Sequence, residues 1–404
     1  MDNFNMELDP IGQYYASVIS PKHPGQFMLS AYLNEAIDPD ILQKSVNDVV
    51  CRLPFLSGRL KPKFFSYHHE LLSSPPQVVC MGDTYTFTDY YNKGEKHVLR
   101  VLYGERHITV EVIHSIVDGR GLSKVMQALL IRYFELMGVD FEKTDMINCA
   151  DKFQSEEWED AYLRFYAPSK EKSSRVTKKH TESYHHKVPK PKPIHVTLKS
   201  FKFSEIKQAA KTHNATISEY VTAQLFLAIA KEREVNKSNK AITMLVPIDC
   251  RTFFPTKTLR SFVDSITITM PETDDFAVMI TEIREQYAKI TTEFIQANIN
   301  EFQGLVHKAR FLPRVVKKLL LRNFENSEGD SLTTTFSNLG KVSLPSKIEA
   351  RIEKMAFIID AAEDMPITYA SATVGDTFTL AITLCTEADA LINDIETRIN
   401  NTES

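Results

Sequence analysis

Apolar residues along the first half of the chain switch repeatedly between the period of a strand and that of a helix. Residues 26–34 read as a strand. Asp38 follows as a natural N-cap, with Pro39 at the first helical position and Asp40 at the positive end of the helix dipole. Ile41, Leu42, Val46, Val49, Val50 and Leu53 then recur at helical spacing, and Leu53-Pro54-Phe55-Leu56 closes that helix. Residues 97–103 and 106–114 predict a hairpin around Gly104-Glu105, with the glycine supplying a positive φ. On its second strand Ile108, Val110, Val112 and His114 share one face, and Thr109, Glu111 and Ile113 the other. An imidazole therefore points the same way as an apolar row. From Gly119 a helix begins whose stripe runs through Leu122, Val125, Met126, Leu129, Leu130, Tyr133, Phe134 and Met137 to a stop at Gly138.

Between about residues 167 and 194 the pattern lapses into Lys, Ser, His and Pro, and Val188 to Pro193 should be extended and stiff. This stretch predicts a solvated crossing linker between an N-terminal subdomain, 1–166, and a C-terminal one, 195–404. The second half opens with a strand over 195–203 and a helix from Ser204. Thr216-Ile-Ser-Glu219 is a capping box before the apolar helix of Tyr220, Val221, Leu225, Phe226 and Ile229. Strands are expected over 241–248 and 262–270, helices across 274–323, strands at 331–337, 355–359 and 377–384, and a closing helix from Glu387. Each half mixes strands and helices, which predicts an α/β protein of mixed sheets.

A length of 404 residues exceeds one ordinary core and supports the two-part reading. A hydrophobic fraction of 43% with 25% charged residues is that of a soluble globular chain. The net charge of −4 offers no global basic field, so nucleic acid is not expected as a partner. Cys51, Cys80, Cys149, Cys250 and Cys385 form no CxxC pair and read as small buried side chains in a reducing compartment. Met1 through Pro10 lacks the apolar core of a secretory signal, and no apolar run reaches the roughly 20 residues of a membrane span. The expectation is a cytoplasmic protein.

His114 is the leading candidate for chemistry. A histidine at a strand end, facing an apolar layer, stays neutral and basic, as a general base must near neutral pH. Asp118 is either a triad-like partner of the ring or the first residue of an ordinary turn with Gly119. A metal site from His114 and Asp118 would need a helix where the pattern gives a strand and a turn, so no metal is expected. Glycerolipid acyltransferases place four residues between their histidine and aspartate, and this chain has three. Neither Tyr67-His68-His69-Glu70 nor Tyr184-His185-His186 has ligand spacing to further Cys or His, and both read as solvated. No GxSxG elbow, P-loop or GxGxxG occurs, which removes the common hydrolase, NTPase and dinucleotide-binding readings. The missing serine elbow also favours direct transfer over a covalent acyl-enzyme.

The run Val112-Ile-His-Ser-Ile-Val-Asp-Gly119 resembles the HxxxDG signature of an acyltransferase superfamily. That superfamily includes chloramphenicol acetyltransferase, the condensation domains of nonribosomal peptide synthetases, plant BAHD acyltransferases and alcohol acetyltransferases. Leu245-Val-Pro-Ile-Asp-Cys-Arg251, Phe254-Pro255 and Leu259-Arg-Ser-Phe-Val-Asp-Ser265 are similar to its P-x-D-x-R … P … N/G-F block. Phe336-Ser-Asn-Leu-Gly-Lys-Val342 resembles its later SN-x-G block, so the likeness spans nearly the whole chain. Departures are specific. Ile113 replaces the first histidine of the condensation-type HHxxxDG, which counts against peptide formation. The BAHD-type DFGWG segment has no counterpart, and Ser261 stands where asparagine or glycine is usual.

The resemblance implies two chloramphenicol acetyltransferase-like subdomains with an active-site channel at their interface and His114 at the junction. It implies that Asp118 pairs with a buried arginine and holds the loop, with Arg251 expected and Arg120 and Arg260 as alternatives. Asn338, Ser337 and Ser261 are expected near substrate, and Ser337, Thr334 and Thr335 are candidate hydroxyls for the oxyanion. The implied activity is transfer of an acyl group, expected to be acetyl, from acyl-CoA as co-substrate to a small alcohol or amine. Two rivals stand beside it. One is a condensation-type enzyme fed by a phosphopantetheine carrier protein, and the other an inactive binding protein of the same fold.

Overall fold

The computed structural model describes residues 7–20, 24–82, 85–87, 97–142, 146–168, 182–188, 192–273, 275–309, 311–329 and 331–400. Its first half runs α1 (Pro10–Val18), β1 (Gln26–Leu33), α2 (Pro39–Arg52), β2 (Gly58–Pro62), β3 (Tyr67–Leu71), β4 (Val79–Cys80), β5 (Leu99–Tyr103), β6 (His107–Ile113), α3 (Gly119–Leu136) and the short α4 (Ala161–Arg164). The second runs β7 (His195–Lys202), α5 (Phe203–Thr212), α6 (Ile217–Val235), β8 (Thr243–Asp249), β9 (Val263–Thr269), α7 (Phe276–Tyr287), α8 (Thr292–Ala309) and α9 (Arg314–Gly329). It ends with β10 (Thr334–Lys341), α10 (Ser346–Glu349), β11 (Ile352–Ile359), β12 (Ile367–Val374), β13 (Thr377–Leu384) and α11 (Asp389–Asn400).

Local signals explain several boundaries. The Asp38 carboxylate accepts from the N–H groups of Asp40 and Ile41 and so starts α2. Thr216 and Glu219 exchange side-chain-to-backbone bonds at the head of α6. Gly138, at φ +81°, ends α3. The turn between β5 and β6 differs from expectation, since Gly104 is not among the glycines at positive φ.

Two sheets carry the fold. The first has the order β11-β1-β6-β5-β4 and the second β7-β13-β12-β10-β8-β9, and the hairpin β2-β3 stands apart. Helices α2 and α3 cover one face of the first sheet, with Leu42, Val46, Leu122, Met126 and Leu129 buried among Leu29, Val110 and Val112. The second core collects α6, α7 and α11 over Phe336, Tyr369 and Phe378.

Strand β11 belongs to the second half by sequence, yet it pairs antiparallel with β1, Phe27 opposite Ile359. Division of the chain at 1–166 and 195–404 is therefore not division by sheet. Strand β12 joins the halves as well. Its residues Ala370, Ala372 and Val374 enter the first core, and Ile367 and Tyr369 on the opposite face enter the second. Residues 169–181 and 189–191 of the expected linker lie outside the described residues. The part between them is packed, not solvated: Tyr184 is buried in the second core, and the buried His186 bonds Glu232 at 2.6 Å. His69 is also buried, its Nε2 2.7 Å from the carbonyl of Phe55, and burial pushes its pKa down to about 4. Both histidine pairs thus place their second member inside. Conversely, Cys51 and Cys80 are exposed.

Candidate active site

Strand β6 delivers His114 one residue past its end, and the His114 N–H donates to the carbonyl of Gly25 at 2.9 Å. The ring is half-buried. Tyr15 of α1 stacks on it with centroids 3.9 Å apart and planes 17° from parallel. Phe27 of β1 meets it edge-on at 4.9 Å. Burial between these aromatic faces lowers the imidazole pKa below its ordinary 6.5, against smaller opposing effects of a backbone hydrogen bond and of Asp118. The group is a neutral base at neutral pH.

Ser261 holds the other side. Its Oγ lies 2.9 Å from the His114 carbonyl and 3.2 Å from Nδ1. A hydroxyl has one proton, and the carbonyl has none to give. The serine therefore donates to the carbonyl and accepts from Nδ1–H, which leaves Nε2 unprotonated.

Asp118 is the N-cap of α3 and does not reach the ring through a hydrogen bond. Its Oδ1 accepts from Gly121 N at 2.8 Å. Its Oδ2 accepts from Arg251 Nη1 and from Phe262 N, both at 2.8 Å. Arg251 also bonds Asp249 Oδ1 at 2.8 Å, the carbonyl of Thr258 at 3.0 Å and that of Arg260 at 2.6 Å. One guanidinium thus ties the α3 turn to the loop that carries Ser261. Of the two alternative arginines, Arg120 bonds Asp249 at 3.2 Å and Arg260 pairs with Asp9 at 2.8 Å.

Gly119 and Gly121 provide close approach. A Cβ on Gly119 would lie 3.1 Å from Phe357 and 3.4 Å from Leu339 of β10. One on Gly121 would lie 2.2 Å from the carbonyl oxygen of Leu259. Helix α3 consequently enters directly against the second half's loop.

Asn338 is occupied elsewhere. Its Oδ1 accepts from Gly340 N and Ser371 Oγ, and its Nδ2 bonds Ser218 Oγ at 3.0 Å. It shapes the end of β10, where Gly340 sits at φ +75°. Ser337 pairs with Ala370 of β12, just before the register of β10 shifts between Asn338 and Lys341. The Thr334 hydroxyl is spent on the carbonyl of Ile367 at 2.8 Å, and that of Thr335 contacts the Met365 sulfur at 3.2 Å.

At the site, the element that sequence reasoning missed is α1. Asp9 caps it by accepting from Gly12 N at 2.8 Å, and a Cβ on Gly12 would come 2.7 Å from the carbonyl of Ser115. Burial raises the Asp9 pKa to about 6 although Arg260 pulls it down. Arg260 in turn stacks over Trp158 at 4.3 Å. The signal was present: Asp9-Pro10 repeats the Asp38-Pro39 start of α2.

No curated protein matches the chain by sequence. Solved structures share its fold. Polyketide synthase associated protein 5 from Mycobacterium tuberculosis has a TM-score of 0.63 and 14% identity, over 98% of this chain and 97% of that one. TRI101 of F. sporotrichioides, complexed with coenzyme A and T-2, has a TM-score of 0.60 and 14% identity, over 96% of each chain. The wax ester synthase/diacylglycerol acyltransferase of Marinobacter aquaeolei VT8 has a TM-score of 0.55 and 11% identity, over 98% of each. These relations establish the two-subdomain condensation-type fold. The family model of alcohol acetyltransferase matches residues 152–388, more than half of the chain, so this protein belongs to the alcohol acetyltransferase family and is an acyltransferase.

Proposed function

We propose that the protein transfers an acyl group, acetyl in the first instance, from coenzyme A to an alcohol, with His114 as general base. The observation that carries this reading is the Ser261 hydrogen bond to Nδ1, which leaves Nε2 of a neutral, buried-edge imidazole as the acceptor of a proton. The acceptor hydroxyl gives its proton to Nε2 as its oxygen bonds the thioester carbonyl carbon. The tetrahedral oxyanion then collapses, the C–S bond breaks, and the proton on His114 passes to the leaving thiolate. An ester and free coenzyme A result, and no covalent acyl-enzyme is needed. The Thr334 and Thr335 hydroxyls are engaged within the fold, so Ser337 is our choice among the three candidates for the oxyanion donor. Asp118 and Arg251 position the loop, and Asn338 shapes the end of β10.

Coenzyme A as donor is supported by its presence in the complex of TRI101, a protein of the same fold. The test is release of free thiol from acetyl-CoA over a panel of alcohols and amines, run beside the same acyl group on a carrier protein. We expect alcohol-dependent thiol release that falls at least ~100-fold in His114→Ala. Release only from the carrier-bound donor would transfer the reading to a condensation-type enzyme. Release from neither donor, with His114→Ala equal to wild type, would leave a binding protein.

A further inference from the structure

We infer that the surface formed by the tip of the β2-β3 hairpin and by α9 docks on a lipid bilayer that carries anionic headgroups. Helix α9 is mounted with its polarity reversed. Its basic side chains turn toward the protein: Arg314 donates to the carbonyl of Lys63 and to the Tyr67 hydroxyl, both at 3.0 Å, and Lys317 to the carbonyl of Phe65 at 3.3 Å. Its apolar side chains turn outward. Val315 is 72% exposed and Leu319 61%, one helical turn apart, and Phe311 just before the helix is 75% exposed. The hairpin tip that these cations grip adds Phe64, 70% exposed, and the exposed Phe65. Scattered exposed apolar residues need no explanation, but a contiguous patch drawn from two segments does.

The charge pattern selects the occupant. Between Leu305 and Leu321 the sequence has no Asp or Glu but contains His307, Lys308, Arg310, Arg314, Lys317 and Lys318, in a chain whose net charge is −4. Lys63 and Lys308 are exposed beside the patch. Glu70, the carboxylate at the base of the hairpin, is already held by Arg59 at 2.5 Å and Lys61 at 2.6 Å. Protruding aromatic and aliphatic side chains accompanied by the exposed Lys63 and Lys308 match the acyl boundary and anionic headgroups of a membrane surface. The patch also adjoins the site. Helix α9 packs against α1, whose Tyr15 covers His114, and Gln13 of α1 exchanges hydrogen bonds with the backbone of Tyr67.

Vesicle flotation tests the proposal with the full chain and liposomes of phosphatidylcholine alone or enriched in phosphatidylserine. The wild type should float with the phosphatidylserine vesicles, less with the neutral ones, and less again as salt rises. Leu319→Glu with Phe64→Ser should weaken that binding at least about tenfold. Val235→Glu, an equally exposed apolar position at the far end of α6, should bind as wild type. Melting curves and thiol release on a water-soluble alcohol should be unchanged in all three proteins. No flotation of the wild type, or equal flotation of the double variant, would overturn the proposal. So would lipid-free self-association that Leu319→Glu abolishes, because the patch would then be a subunit interface.

Discussion

Arg251 and Asp118, 133 residues apart in sequence, meet at 2.8 Å with the carboxylate wholly buried and the guanidinium only 11% exposed. The pair joins the N-terminus of α3 to the loop of the second half. Removal of Arg251 leaves the buried Asp118 carboxylate without its cation, whereas removal of Asp118 leaves Arg251 still paired with Asp249. Arg251→Ala should therefore lower unfolding stability by about 3–5 kcal/mol in urea titrations, and Asp118→Ala by less. Arg251→Lys should recover only part, since a point charge cannot replace the fork onto Thr258 and Arg260. A double-mutant cycle should give a coupling of about 1–3 kcal/mol. Simple additivity of the two losses would mean that the pair does not act as a unit.

Ser261 should separate positioning from folding. Ser261→Ala removes the acceptor of Nδ1–H, and the ring then divides between tautomers and orientations. We expect kcat to fall about 10- to 100-fold with KM within about twofold, by analogy with lost orienting partners of functional histidines. The melting temperature should stay within a few degrees of wild type. A fall confined to KM would instead make Ser261 a substrate contact.

Acid should silence the enzyme at a lower pH than an ordinary histidine would dictate. Burial depresses the His114 pKa, and a general base at this position would act in its neutral form. The neutral fraction is complete above the folded-state pKa and is lost as pH falls through it. The log of kcat/KM against pH should therefore be flat through neutrality and bend down below 6.5. The same shift has a stability sign: between the folded pKa and 6.5 the unfolded chain binds more protons, so stability drops as pH falls there. An acid limb centred above 6.5 would contradict a desolvated His114.

Much of the molecule was readable because apolar period and cap chemistry agree. Helices α2, α3 and α6 have both signals, and strand β6 has the period alone. Strand β12 was not, because Thr, Ala and Ser fill most of Ile367–Val374. Those small residues let two cores meet across one strand, which is a property of packing and not of hydropathy. The crossing of β11 into the first sheet was equally hidden, since a strand's period names its faces but not its neighbour. His69 and His186 look polar by context and are buried by contact with Phe55 and Glu232. In the site, Asn338 matched a motif, yet its amide serves Ser218, Gly340 and Ser371. Motif position told which residue stands there, and only geometry told what its hydrogen bonds do. Helix α1 carried a legible Asp-Pro start, but nothing in sequence tied Tyr15 to a histidine 99 positions on.

The two glycines at the head of α3 should respond in opposite measure to their prominence in the motif. Gly119 completes the HxxxDG pattern, and an added methyl there would press at 3.1 Å on the far edge of the Phe357 ring. A ring edge can shift by a few tenths of an ångström, so Gly119→Ala should cost about 1–2 kcal/mol, within the range for modest overpacking. Gly121 lies outside the pattern, yet its Cβ would sit 2.2 Å from a backbone oxygen at Leu259. That oxygen belongs to the loop that Arg251 pins through its neighbours Thr258 and Arg260, so it cannot move without pulling Ser261 from His114. Gly121→Ala should therefore cost about 3 kcal/mol or more and depress kcat alongside stability. Paired urea titrations and thiol-release assays on the two variants would decide it. A Gly121→Ala protein as stable and active as Gly119→Ala would mean that the loop yields freely, and with it the account of how His114 is held.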